Sequence, residues 1–151
     1  MAELVVFVGL PASGKSTFYR LRFAATHELV SKDLLANNRQ PSRRQRQLIS
    51  AALLRGHSVV VDNTNTRRTD RAELLALAKA GGATTAVYHF TAALADCLRR
   101  NKLREGKARV PDVALFVAAK RLDAPADDEG FDARYEVTLD ETSAAFSVTR
   151  R

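Results

Sequence analysis

The nine residues Gly9-Leu10-Pro11-Ala12-Ser13-Gly14-Lys15-Ser16-Thr17 constrain this chain more than any other feature. They match G-x-x-x-x-G-K-[ST], follow the unbroken apolar run Leu4–Val8, and lead into a helical stretch from Ser16 to about Ala25. An apolar run without alternation fits a strand buried on both faces, as in a parallel sheet. Glycines at both ends of the loop let backbone N–H groups converge on an anion. The helix that follows directs the positive end of its dipole at the same point. In that setting Gly9, Ala12, Ser13, Gly14, Lys15, Ser16 and Thr17 surround the phosphates of ATP. The Lys15 ammonium reaches the β and γ phosphates, and the Ser16 hydroxyl ligates Mg2+.

The rest of the chain repeats the same strand–helix rhythm. Strands are predicted at Glu28–Val30, Val59–Val61, Thr84–Phe90 and Tyr135–Leu139, and helices over Ser42–Arg55, Arg68–Ala80, Ala92–Arg104 and Asp112–Leu122. The expected fold is a three-layer α/β sandwich of the P-loop kinase kind, with a central, mostly parallel five-stranded sheet and a helical lid over roughly residues 99–111. At 151 residues the chain fits one domain, 1–151. The single cysteine, Cys97, excludes an internal disulfide and a multi-thiolate metal site. No apolar run reaches the ~20 residues of a membrane span. The start, Met1-Ala2-Glu3, lacks the basic region of a secretory signal, so a cytoplasmic location is expected.

Net charge is +7, but it is unevenly laid out. Residues 1–122 hold 21 basic and 9 acidic side chains, and residues 123–151 hold 3 and 8. The excess therefore travels with the phosphate-binding loop and implies anionic partners.

Three further features separate a phosphotransferase from other nucleotide-binding proteins. Asp33 follows the second strand at the sheet edge where the loop opens. There it acts either as a base for an acceptor hydroxyl or as a cap for the short helix that begins at Leu34. Asp62 ends Val59-Val60-Val61-Asp62, which has the form of a Walker B strand, and it serves Mg2+ or the acceptor unless it merely opens the turn with Asn63. Arg100 and Arg104 lie one helical turn apart within a basic segment. They either clamp the transferring phosphoryl group or complement a helix end. Two basic patches, Arg39–Arg46 and Arg67–Arg71, read as solvated faces or as phosphate contacts for an acceptor. Aromatic residues near these patches are too few to suggest a stacking platform for bases.

Taken together, the phosphate loop, Ser31-Lys32-Asp33, Val60-Val61-Asp62-Asn63-Thr64-Asn65, Arg99-Arg100-Asn101-Lys102-Leu103-Arg104, Gly106-Lys107, Val110-Pro111 and Glu129-Gly130-Phe131 resemble the kinase module of polynucleotide 5′-hydroxyl kinases in order and rough spacing. The resemblance implies ATP-dependent phosphorylation of a 5′-OH end of DNA or RNA. It implies Asp33 as general base, Lys15 and Arg104 as stabilisers of the transition state, Arg100 on the nucleotide, Ser16 on Mg2+, and Asp62 near metal or acceptor. Asn65, Arg39, Arg43 and Arg44 join Asp62 as acceptor-side residues. Some relatives carry an Arg three residues after the catalytic Asp. Here that position is Ala36, with Arg39 the nearest substitute. There is no Asp-x-Asp phosphatase signature, so such a kinase works alone or with separate phosphatase or ligase partners. The competing expectations are a kinase of a nucleoside, sugar or antibiotic, and a non-catalytic ATP-binding regulatory module.

Overall fold

Leu4, Val6 and Val8 leave one face of the first strand and Val5 and Phe7 leave the other, and all five are fully buried. That double burial places the strand, β1 (Glu3–Val8), in the middle of the sheet. In the computed structural model, which describes residues 1–151, six strands lie in the order β2-β3-β1-β4-β5-β6. The others are β2 (His27–Val30), β3 (Ser58–Asp62), β4 (Thr84–Phe90), β5 (Ala133–Asp140) and β6 (Ala145–Arg150). The first five run parallel, with β1 paired to both β3 and β4. Helices α1 (Lys15–Arg22), α2 (Pro41–Leu54), α3 (Arg68–Ala80), α4 (Leu94–Lys102) and α5 (Asp112–Arg121) connect them.

The two sheet faces are chemically different. Ile49, Ala52 and Leu53 of α2 and Leu74 and Ala78 of α3 pack on the aliphatic face with Leu4, Val6, Val59, Val61 and Val87. Gly81 lets these helices end in close contact, since a Cβ there would lie 3.0 Å from the Leu53 Cβ. The opposite face is aromatic. Phe18 of α1 meets Phe7, Phe90 and Phe146 with ring centroids 5.9, 5.3 and 5.1 Å away. A third, smaller cluster joins Leu10 and Ala12 of the phosphate loop to Cys97 of α4 and to Leu115 and Ala118 of α5. Cys97 is thus a core residue, and burial raises its thiol pKa.

The expected class holds, with two differences of detail. Helix α1 ends at Arg22, three residues early, because Phe23 turns inward to meet the Phe7 ring at 5.8 Å instead of continuing the helix. The sheet has six strands where five are expected. Strand β6 returns antiparallel to β5, with Phe146 opposite Leu139, after a turn in which the Asp140 carboxylate accepts from the Thr142 N–H at 2.9 Å. No helix is long and apolar enough to cross a membrane.

Candidate active site

The phosphate loop leaves β1 at the carboxyl end of the sheet, where ligands of open α/β sheets bind. It closes through two left-handed residues, Ala12 (φ 63°) and Gly14 (φ 100°). Such a conformation is unfavourable for Ala12 and easy for Gly14. Lys15 begins α1 and is buried, with its Nζ donating to the carbonyls of Gly9 at 2.9 Å and Leu10 at 2.7 Å. Burial lowers its pKa from 10.5 to about 8, against the attraction of Asp62 and with a further push from Arg104. A buried cation held by two carbonyls and, at 3.5 Å, the Ser13 hydroxyl is poised for an anion that would restore its charge.

The ends of β2 and β3 bring the acidic groups to this loop. The Ser16 hydroxyl donates to Asp62 Oδ2 at 2.9 Å. Burial raises the Asp62 pKa, while Lys15 and the Ser16 hydrogen bond pull it down. Ser16 and Asp62 together form a pair of hard oxygens at the mouth of a phosphate loop. That donor set fits Mg2+, which takes one or two protein oxygens and completes its shell with phosphates and water.

Asp33 stands on a single 3₁₀ turn, Lys32–Leu35. The sequence leaves open whether its carboxylate caps this turn. The Ser31 hydroxyl does so instead, accepting from the Asp33 N–H at 3.2 Å. Asn63, just past the end of β3, braces the same turn: its Oδ1 accepts from the Lys32 N–H at 2.9 Å, and its amide donates to Gln45 of α2 at 2.7 Å. The Asp33 carboxylate has no partner in the chain and faces a polar cavity of about 340 Å3 that Lys15, Ser16 and Asp62 also line. Helices α2 and α3 close the far wall with Ser42, Gln45, Arg46, Asp70 and Glu73, and Arg46 pairs with Glu73 at 3.0 Å. Leu74 and Val110 add the small apolar part of the wall.

The basic segment arches over the loop. Arg100 donates from Nε to the Ala12 carbonyl at 2.8 Å and pairs with Glu141 in the β5–β6 turn at 2.5 Å. Arg99 also pairs with Glu141. Arg104 donates to the Ala108 carbonyl at 3.1 Å, and its charge is felt at both Lys15 and Asp62. The fully buried Asn101 ties this arch to the start of α5, bonding both the N–H and the carbonyl of Val110.

Lys15, Ser16, Asp33 and Asp62 therefore converge, with Arg100 and Arg104 above them. The acceptor-side residues of the sequence reading fall in two places. Asn65 lines the cavity, while its amide donates to the Phe7 carbonyl at 2.8 Å and so holds β1 and β3 together where they end. Arg39, Arg43 and Arg44 lie outside the cavity, in a separate shallow groove on the neighbouring face of α2. The member of that patch that reaches the cavity is Arg46, because residues 42, 45 and 46 share the inward face of the helix.

Sequence reasoning also misses Asn63, Gln45, Asp70, Glu73 and Glu141, and above all Arg71. The Arg71 side chain is completely buried, pairs with Glu129 through two hydrogen bonds of 2.7 and 2.9 Å, and donates to the carbonyls of Asn65 and Thr66. It locks the turn after Asp62 to the Glu129-Gly130 loop. The Glu129-Gly130-Phe131 motif is visible in the sequence, but its partner is not.

A family model described as an AAA domain, AAA_33, matches residues 4–125. Among solved structures, Chaetomium thermophilum Kti12 in complex with ADP-AlF3 is similar with a TM-score of 0.68 and 19% identity, over 93% of each chain. A gluconokinase from Sinorhizobium meliloti gives a TM-score of 0.63 at 21% identity, over 90% of this chain and 82% of that one. A Pnkp1/Rnl/Hen1 complex gives 0.59 at 19%, over 87% of this chain and 43% of that one. Likeness at these identities is likeness of fold, and the fold is that of P-loop kinases.

Proposed function

We propose that this chain, which belongs to the AAA_33 family of AAA domains, transfers the γ-phosphate of ATP to the 5′-OH end of DNA or RNA. The observation that carries the phosphotransfer is Asp33. Ser31 and Asn63 take over the structural work of its turn and leave an unengaged carboxylate in the cavity of Lys15, Ser16 and Asp62. Asp33 accepts the proton of the acceptor hydroxyl as that oxygen bonds to the γ phosphorus and the bond to the ADP oxygen breaks. Lys15 leaves the Gly9 and Leu10 carbonyls for the β and γ phosphates. Arg104, with Arg100 beside the loop, stabilises charge on the transferring group. Ser16 and Asp62 would hold Mg2+, which neutralises phosphate charge when bound. The nucleic-acid acceptor is supported by the family resemblance of these motifs and by the cationic surfaces that flank the cavity.

A second reading is a kinase of a small polyhydroxyl acceptor. Asp33, Asp70 and Glu73 give the cavity a carboxylate-rich wall suited to hydroxyl groups, and the fold is shared with a gluconokinase. Radiolabel from γ-labelled ATP should appear on 5′-OH oligonucleotides with Mg2+. In Asp33→Asn transfer should fall by about 10²–10⁴-fold while ATP binding persists. Wild-type protein that binds ATP but labels no DNA or RNA end overturns the proposal. Labelling of a sugar or nucleoside instead establishes the second reading.

A further inference from the structure

An acceptor strand whose 5′ end lies at Asp33 must leave the cavity along one of its cationic flanks. The groove of Arg39, Arg43 and Arg44 on α2 contains no apolar or aromatic side chain. The other flank, along α5, combines both chemistries. Val113, Phe116 and Val117 are 63, 52 and 40% exposed, and with Lys120 they form one stripe along the helix, spaced i, i+3, i+4 and i+7. The stripe is about 10 Å long. It starts three residues after Val110, which lines the catalytic cavity. It ends in a groove of about 690 Å3 between α5 and the first turn of α3, where Val117 sits beside Arg67, Lys120 and Arg121.

These three cations have no hydrogen-bond or ion-pair partner in the chain, whereas Arg68 beside them is engaged by Asp128 at 2.8 Å. Asp123 is the one carboxylate in the groove lining. Groove and cavity share a wall: Arg67, Arg68 and Thr69 face the groove, and Asp70, Glu73 and Leu74 of the same helix face the cavity. The far end of α5 is pinned to the turn after Asp62 by the Asp123 N–H, which donates to the Thr66 carbonyl at 2.8 Å.

We infer that the α5 stripe and this groove are the track for the single-stranded segment downstream of the 5′-OH, with a base stacked on Phe116 and backbone phosphates on Arg67, Lys120 and Arg121. Aromatic faces beside a cationic groove are the recurrent means of binding single strands without reading sequence. Such a track explains why an exposed phenylalanine stands on a helix whose opposite side, Leu115 and Ala118, already fills a core. The inference rests on the 5′-kinase reading for the direction of the strand, but its test does not depend on catalysis.

Binding of 3′-fluorescein-labelled oligothymidylates and oligouridylates with a 5′-OH, about 4 to 16 nucleotides long, is followed by anisotropy as salt is varied. Phe116→Ala should weaken binding by about 5- to 150-fold for acceptors long enough to reach the ring. Phe116→Tyr, which keeps the aromatic face, should restore it. Arg67→Ala/Arg121→Ala should flatten the log–log salt slope by about 0.7 for each phosphate that is no longer neutralised. Leu54→Ala, an exposed apolar truncation at the far end of α2, should change neither quantity.

Variants that bind like wild type at every length overturn the track. They leave the 5′-kinase reading intact if wild type still labels the oligonucleotides. Wild type that binds them through Phe116 yet labels none overturns the kinase reading and keeps the track. Wild type that neither binds nor labels them removes both.

Discussion

Arg71 and Glu129 carry the sharpest energetic prediction in this molecule. Their side chains are 0 and 2% exposed, and Glu129 also accepts from the Ala126 N–H at 2.8 Å. Glu129→Gln leaves the guanidinium buried without a counter-charge, facing only neutral acceptors: the Asn65 and Thr66 carbonyls and the new amide oxygen. Breaking a buried pair by removing one charge costs about 3–5 kcal/mol, out of a total stability of about 5–15 kcal/mol for an ordinary domain. With a urea slope near 2 kcal/mol/M, the unfolding midpoint should drop by about 1.5–2.5 M.

The pair also has a pH signature. Burial pushes the Glu129 carboxyl up, but Arg71 and the Ala126 N–H outweigh it and hold the carboxyl below the ordinary glutamate value of 4.5. Its contribution is therefore complete above the unfolded-state value and is lost as pH falls through the lower, folded value. The acid side of the wild-type stability profile should be steeper than that of Glu129→Gln. Replacing both residues by methionine should recover part of the loss, since no buried charge remains. Urea titrations followed by circular dichroism between about pH 3 and 7 provide the measurement. A single-variant cost under about 1 kcal/mol, as expected of an exposed pair, or acid limbs of equal slope would refute the reasoning.

Two predictions concern the charges around the phosphates. Because Lys15 is lowered from 10.5 to about 8 in the free chain, ATP phosphates should raise it again. ATP affinity should then fall as pH rises beyond about 8, with proton uptake on binding. Calorimetry near pH 9 in two buffers of different ionisation enthalpy measures that uptake, and its absence in Lys15→Met identifies the group. In the free protein the sign is opposite to that of a favourably paired lysine: the unfolded chain holds the extra proton, so Lys15 makes stability rise between about 8 and 10.5. Arg104→Ala should lower turnover on the order of 10²-fold with a much smaller change in ATP affinity, because its charge is needed most as the phosphoryl group moves. Equal losses in turnover and affinity, read from initial rates and equilibrium binding, would assign it to ground-state binding instead.

The parallel sheet is legible in the sequence because its strands are buried on both faces: Leu4–Val8 and Val59–Val61 show unbroken apolar runs, and each is followed by a phosphate-site residue. Strand β6 has the opposite character. Only Phe146 is half-buried along Ala145–Arg150, so the segment lacks the apolar density that marks the others, although Phe146 and Val148 alternate with polar neighbours. The candidate cluster is legible where a residue sits at or just after a strand end, as Asp62 and Asp33 do. It is illegible where a helix face decides. Arg39, Arg43, Arg44 and Arg46 form one patch in sequence, and only the rotation of α2 sends Arg46 into the cavity and Arg43 and Arg44 to the groove beside Arg39. Arg71 looks like part of a solvated basic face because its carboxylate partner is 58 residues away. Phe116 gives no signal either, since an apolar residue on a helix reads as core until its neighbours are known.

The ring of Phe146 lies 3.0 Å from where a Cβ on Gly14 would be and packs on Phe18, and Glu141 just before it bridges Arg99 and Arg100. During synthesis, which runs from the amino end, residues 9–17 are made well before residues 141–146, which supply one wall of their pocket. A ribosome that has completed β1 to β4 has therefore produced the phosphate loop without the aromatic wall behind Gly14 or the carboxylate that steadies the arch of arginines. The ability to hold a nucleotide firmly should thus be acquired only once the β5–β6 hairpin folds back onto the phosphate loop made before it.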